Sequence, residues 1–361
     1  MNGEATKPKP LPTIPPYGPN AIDIQNLTFT YLAGANGSSL STPEDANLVL
    51  EKLNLNLGTG SRCLLIGANG SGKSTLLRIL AGRHLTKSMD PEGNPSATKV
   101  LGLNAFHDTR LNFHRAYLDC DWGMRNVAFV GAAVPLMADI PVRNMMQKLQ
   151  ASYPERRDEL LDMLGIDLDW RMHQLSDGQR RRVQIFLGLV RPFQILLLDE
   201  ITTSLDVCVR QDLLRWLVRE SDNRGATIIY ATHIFDGLDE WATHLYYLNN
   251  RGQCGWQGKM QDLDVYQKLK AEAHPCKMLA IAEHWLRQEI NEAKANNQKE
   301  KAQGALAHQL DPTDNQGGFG SGRLKINPTA VEEPKQEQRQ GRLSDMMGNS
   351  GVLDKVRRVG N

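Results

Sequence analysis

Hydrophobic and polar positions change period repeatedly along the chain, and each change predicts an element. From Ala21 to Tyr31 apolar and polar residues largely alternate, as in a half-buried strand. Leu48–Leu50 and Leu53–Leu57 resume that pattern, and Cys63–Ile66 is continuously apolar, as in a buried strand. Thr75–Leu80 has helical spacing. The stretch from Pro141 to about Leu164 is also helical, with Pro154 placed to open a helix at Glu155. Gly178–Val190 and Asp206–Glu220 predict helices, and Gln194–Leu198 and Ala226–Ala231 predict buried parallel strands. His244–Leu248 and Gln253–Trp256, joined by Asn249–Gly252, predict a terminal hairpin. Residues 261–295 are helical, with Met278, Leu279, Ala282, Trp285, Leu286, Ile290 and Ala293 at helical spacing, a pattern for covering a core face or binding a partner. Between 84 and 126 only a turn at Asp90–Pro95 and a strand at Lys99–Leu103 stand out. The alternation of strands and helices makes this an α/β chain.

The ends differ from the middle. Residues 1–20 carry prolines at 8, 10, 12, 15, 16 and 19 and read as a disordered leader. Residues 32–47 are an exposed loop by composition. From 296 to 361 the chain is polar and mostly disordered by composition, beginning with a continued polar helix. Gly317–Arg323 interrupts it as a glycine-rich linker or docking element. No apolar run approaches the ~18–20 residues of a membrane span, and the first residues lack a signal-peptide stretch. The expectation is a soluble protein of the cytoplasm, with the nucleus as a second location. Five cysteines without a Cys-x-x-Cys or Cys/His cluster argue against a disulfide frame or zinc site. A net charge of +1 and the lack of an RNA-recognition motif argue against direct nucleic-acid binding.

The chemistry begins at Gly67-Ala-Asn-Gly-Ser-Gly-Lys-Ser-Thr75, after the apolar run and before a helix. This is the pattern of a phosphate-binding loop. Gly67, Gly70 and Gly72 let backbone N–H groups approach phosphate oxygens. Lys73 supplies charge at the β- and γ-phosphates, and the Ser74 hydroxyl suits Mg²⁺. Ile195–Leu198 ends in Asp199-Glu200, acids at the carboxyl end of a buried strand, where α/β sheets bind ligands. Asp199 is a metal ligand candidate and Glu200 a candidate to polarise attacking water. In Leu175-Ser176-Asp177-Gly178-Gln179, Ser176 is a helix N-cap candidate, and Gly178 allows close approach.

Leu175–Gln179 resembles the Leu-Ser-Gly-Gly-Gln signature of ATP-binding cassette (ABC) proteins; Ser204-Leu205-Asp206 resembles their D-loop, and His233 their switch histidine. The resemblance covers about residues 21–260. Asp169–Gln179 and Tyr230–Leu238 are similar to a soluble ABC group that includes a fungal factor associated with the carbon-catabolite-repression/Not complex and plant subfamily I members; Gly317–Arg323 resembles a carboxyl-terminal feature of that group.

The resemblance implies a P-loop NTPase cassette at 21–260, with a mixed sheet and an α-helical subdomain at about 134–190. A helical extension at 261–295 and the mostly disordered tail follow. It implies an ATPase using Mg²⁺, with Tyr31 (Phe29 the alternative) stacked on adenine. Gly67, Asn69, Gly70, Gly72, Lys73, Ser74 and Thr75 would hold phosphates. Ser74 and Asp199 would bind Mg²⁺, Glu200 would be the base, and His233 would contact the γ-phosphate. Ser176 and Gly178, with Gln179 of the signature and Asp206 of the D-loop, would complete the nucleotide site of a second subunit in a homodimer. The Not-type regulatory complex is the implied partner; the alternatives are the ATP-binding subunit of a transporter with separate membrane chains, or a non-hydrolysing nucleotide-gated scaffold. Two features depart from the family pattern. Val127–Pro135 lacks the glutamine that transporter cassettes usually carry between loop and signature, and Asp177 adds a charge near the phosphates that would either slow turnover or need neutralising by nearby arginines.

Overall fold

A computed structural model of the protein describes residues 13–31, 47–89, 92–119, 126–129, 132–135 and 140–310. The chain divides into two compact units, Met1–Ala293 and Lys294–Asn361; in the second, the described residues 294–310 are helical. The 32–46 part of the expected loop, the first part of the leader and Gly317–Arg323 lie outside the described residues.

The first unit is built on a six-stranded mixed sheet. Its strands are β3 (Arg62–Gly67), β6 (Arg115–Leu118), β9 (Ile195–Asp199), β10 (Thr227–Ala231), β11 (His244–Leu248) and β12 (Cys254–Lys259). Their order is β12-β11-β3-β10-β9-β6, parallel except for the antiparallel β11–β12 hairpin. Against it packs an antiparallel sheet of β1 (Asn20–Tyr31), β2 (Asn47–Gly58), β4 (Ala97–Val100) and β5 (Leu103–Asn104), in the order β2-β1-β4-β5.

The near-continuous apolar strands follow from burial on both faces. Successive side chains point to opposite faces, so each central strand feeds two cores. Leu64, Leu196, Leu198, Ile228, Tyr230 and Leu245 enter one core with the helices. Cys63, Leu65, Ile195, Leu197, Ile229 and Tyr246 enter the other, between the sheets, with α1 (Lys73–Leu80). Ile14 and Tyr17, expected in the leader, also pack against this second core.

The helical stretch expected from Pro141 to about Leu164 consists of a 3₁₀ turn (Val142–Asn144), α2 (Gln147–Ser152) and α3 (Pro154–Leu164), the last opened by Pro154 as expected. Met146 takes a left-handed φ of 50°, which an α-helix cannot continue through. α4 (Asp177–Leu189) and α5 (Val207–Arg224) follow the expected helices closely. A buried Arg156–Glu220 pair at 2.8 Å ties α3 to α5, with the guanidinium 4.6 Å over the Trp216 ring. The expected 261–295 helix is two, α6 (Asp264–Ala271) and α7 (Lys277–Leu310), separated around Pro275, and α7 runs past the expected boundary at 295. Among the described residues, no helix is long and apolar enough to cross a membrane.

Candidate functional site

The loop after β3 is shaped by glycines that other residues cannot replace. A Cβ on Gly67 would lie 2.4 Å from the Leu248 carbonyl oxygen, on the neighbouring strand. Gly72 has φ 101°, and its Cβ would meet Leu50 Cδ2 at 2.6 Å. Gly72 also starts α1, offering no side-chain acceptor, and the first turn holds no acid. The helix's leading N–H groups and its positive end are therefore left for an anion. Lys73 Nζ donates to the Gly67 and Ala68 carbonyls, at 2.8 Å each, so the loop curls around the ammonium. Burial lowers the Lys73 pKa, and the Glu200 and Asp199 carboxylates oppose that shift.

Sheet order brings the acids to this loop. β10 lies between β3 and β9, and Ala231 sits in register with both Leu65 and Asp199. The carboxyl ends of three adjacent parallel strands thus gather Gly67–Thr75, His233 and Asp199-Glu200 on one edge. Asp199 is 2% exposed. Burial pushes its carboxyl pKa up, a hydrogen bond with Ser74 pulls it down, and the Glu200 carboxylate pushes it up again. Glu200 takes a left-handed φ of 51°, held by its N–H to the Ala231 carbonyl at 2.9 Å. That bend aims its side chain at His233, with Oε1 3.4 Å from Nδ1. Tyr31 ends β1 beside α1. Its hydroxyl is 3.3 Å from both Thr75 Oγ1 and His84 Nε2, and Phe29 packs edge-on at 5.1 Å.

Ser176 opens α4 with a capping box: Gln179 N–H donates to Ser176 Oγ at 3.3 Å, and Ser176 N–H donates to Gln179 Oε1 at 3.0 Å. Asp177, in the first turn, sits 3.5 Å from Arg180, an exposed pair that offsets its charge only in part. A Cβ on Gly178 would lie 3.0 Å from the Ser204 carbonyl, which brings this turn against Ser204–Asp206. Asp206 caps α5 through Val209 N–H at 3.0 Å and pairs with Arg182 at 2.5 Å. These two segments form one surface. Among the described residues, no hydrogen bond or ion pair joins Ser176–Gln179 to Gly67–Thr75.

Several neighbours of the site were not legible in the sequence. In the region of Val127–Pro135, β7 (Asn126–Phe129) and β8 (Ala132–Pro135) pair antiparallel in a two-stranded sheet of their own. The outer neighbour of β9 is β6, and it runs into Asp119. Asp119 is buried, pairs with Arg83 at 2.8 Å and adds to the upward pressure on the Asp199 pKa. Tyr117, on β6, donates its hydroxyl to Asp199 Oδ2 at 3.5 Å, with Arg83 stacked 4.3 Å over its ring. α7 was expected to cover a core face or bind a partner. Met278, Ile281 and Ala282 are buried in the core, and Trp285 stacks on Tyr247 at 4.7 Å. Leu286, Glu289 and Ile290 also line a hollow of about 510 Å³ with Gly67, Glu200 and His233. The Asn250 N–H donates to Glu289 at 3.0 Å.

The family model described as ABC transporter matches residues 50–203. ABC transporter I family member 20 of Arabidopsis thaliana is 44% identical over 287 residues, which cover 79% of this chain and 81% of that protein. CCR4-associated factor 16 of Saccharomyces cerevisiae is 35% identical, covering 69% and 80%. A dimeric ATP-binding cassette bound to ADP and Pi superposes with a TM-score of 0.52 at 21% identity, covering 67% of this chain and all of that one. With the loop, the paired acids and the capped signature turn arranged as described, the chain belongs to the ABC transporter family and carries its ATP-binding cassette.

Proposed function

We propose that the protein binds ATP with Mg²⁺ at Gly67–Thr75 and hydrolyses it to ADP and phosphate in a head-to-tail homodimer. The observation that carries this reading is the convergence of the lysine-centred loop, buried Asp199 and the Glu200–His233 pair on one sheet edge.

The residues fit the metal. Asp199 is a desolvated carboxylate hydrogen-bonded to the Ser74 hydroxyl, and hard oxygen donors of this kind suit Mg²⁺. Bound there, Mg²⁺ would neutralise charge on the β- and γ-phosphate oxygens. Lys73 Nζ would exchange its two carbonyl acceptors for phosphate oxygens. Glu200 would take the proton of the water that attacks the γ-phosphorus as the bond to the β–γ bridging oxygen breaks. His233 would hold the γ-phosphate, beside Glu200. Tyr31, at the end of β1 and beside Thr75, would flank the adenine. Ser176, Gly178, Gln179 and Asp206 present a surface with no polar bond to their own loop, which supports their completing the site of a second copy.

The resemblance to a CCR4-associated factor supports a protein complex of the Not-type as the reader of the nucleotide state. The test is Mg²⁺-dependent phosphate release by the wild type. Release that disappears in Glu200→Gln supports the reading. No release from wild type that demonstrably binds ATP leaves a nucleotide-gated scaffold in its place.

A further inference from the structure

A second cleft lies at the opposite end of β11 from the phosphate loop. Leu248, at the carboxyl end, is in register with Gly67, whereas His244 begins the strand. The cleft encloses about 740 Å³, within the usual range for small-molecule sites. His244, Lys259, Lys270, His274 and Lys277 line it, opposed by the single lining carboxylate of Glu240. They come from different elements: Lys259 ends β12 and lies in register with His244, Lys270 is in the last turn of α6, and Lys277 opens α7. The fold therefore gathers cations that are scattered in sequence.

Their partners decide what the cleft can hold. Among the described residues, Lys259, Lys270 and Lys277 have no ion pair or hydrogen bond from their ammonium groups. Asp239, the other nearby acid on this loop, does not line the cleft and accepts the Met278 N–H on one oxygen at 2.7 Å. Asp262 acts on His244 alongside Lys259, which opposes it. His274 Nδ1 accepts the Cys276 N–H at 3.3 Å, which places the neutral ring's proton on Nε2 as a donor. Three unpaired ammoniums and an imidazole donor around one concavity favour a ligand with several negative oxygens.

The geometry points to a binding site for a small polyanion carrying two or more phosphate groups, separate from the nucleotide loop and independent of the ATPase reading. The ammoniums contact the phosphates, and one lining carboxylate, Glu240, against three lysines leaves the cleft net positive. α7, which begins at this cleft, is the same helix whose Leu286 and Ile290 flank the phosphate loop.

Calorimetric titration of the full chain with sodium tripolyphosphate tests this. A Lys73→Ala background removes the phosphate loop as a competing site. Saturable binding in that background is expected, and Lys270→Gln with Lys277→Gln should weaken it about tenfold or more. Lys87→Gln with Lys99→Gln, outside the cleft, should leave it unchanged. Circular dichroism and the melting temperature check that each variant is folded, and Lys270→Arg with Lys277→Arg should restore binding. Phosphatidylcholine vesicles with and without phosphatidylinositol bisphosphate separate the sources: capture only by the bisphosphate vesicles at this site assigns a lipid headgroup, and tripolyphosphate binding without vesicle capture assigns a free metabolite. No saturable binding in the Lys73→Ala protein, or binding equally insensitive to the cleft and control substitutions, overturns the proposal.

Discussion

Glu200 Oε1 lies 3.4 Å from His233 Nδ1, across the ends of two adjacent strands, on a glutamate whose backbone is left-handed. Strain of this kind persists where the surroundings hold it, here through the Glu200 N–H bond to Ala231. Glu200→Gln keeps the shape and removes the carboxylate proposed as the base. The expected result is a fall in kcat of about 10²-fold or more, with ATP affinity within a few-fold of wild type. His233→Ala should also lower kcat by about tenfold or more. Steady-state phosphate release with a nucleotide-binding titration measures both.

Gly67 and Leu248 set a second expectation. A methyl on Gly67 would come within 2.4 Å of the Leu248 carbonyl oxygen, a backbone atom of the neighbouring strand. Gly67→Ala should cost about 1–3 kcal/mol of stability by overpacking. It should also weaken ATP binding, because the loop is displaced. Gly70→Ala meets no neighbouring atom and has only its φ of 84° to oppose it. Thermal melts of the two variants should therefore rank Gly67→Ala as the more damaging.

Asp199 makes stability depend on pH. Its folded-state pKa is raised above the ordinary aspartate value, chiefly by burial. The nucleotide-free folded protein therefore binds this proton more tightly than the unfolded chain, and stability from this group is lost as pH rises from about the ordinary value through the elevated one. Asp199→Asn should raise the melting temperature of the nucleotide-free protein at pH 7 by roughly 2–4 °C, from relief of about 1 kcal/mol of desolvation. The gain should vanish below the ordinary aspartate pKa. The same variant should lose the further stabilisation that Mg-ATP gives the wild type. Differential scanning calorimetry across pH, with and without Mg-ATP, checks each part.

Asp177 and Arg180 sit at the start of α4, on the surface proposed to meet the second nucleotide. Removing the acid removes a like charge from that surface but also a favourable charge at a helix N-terminus. Asp177→Gly should cost about 0.5–1 kcal/mol in stability and raise the ATP turnover severalfold. Parallel melts and phosphate-release rates separate the two effects. A turnover that falls in proportion to stability would count against a charge penalty at the site.

Particular residues show how much was legible. β3, β9 and β10 declared themselves because strands buried on both faces must be apolar throughout, and that pattern survives without structural knowledge. The phosphate loop was legible because its glycines answer to local backbone geometry. Asp119 and Tyr117 were not, since they reach Asp199 through the β6–β9 pairing, which local periodicity cannot encode. The break at Met146 was hidden because the flanking residues keep helical spacing on either side of a left-handed residue. Pro275 stands at the division between α6 and α7, but the helical period of Met278–Ala293 was extended back across it to 261. The hollow that α7 forms beside Gly67 follows from the stacking of Trp285 on Tyr247, a contact distant in sequence. The proposed pairing of loop and signature between copies rested on resemblance.

The most direct measurement is sedimentation velocity of the Glu200→Gln protein with and without ATP, alone and combined with Ser176→Arg. If the signature surface completes a second copy's site, ATP converts Glu200→Gln from monomer to dimer, and Ser176→Arg keeps it monomeric while ATP still binds. A Glu200→Gln protein that binds ATP to saturation and remains a monomer would contradict the account.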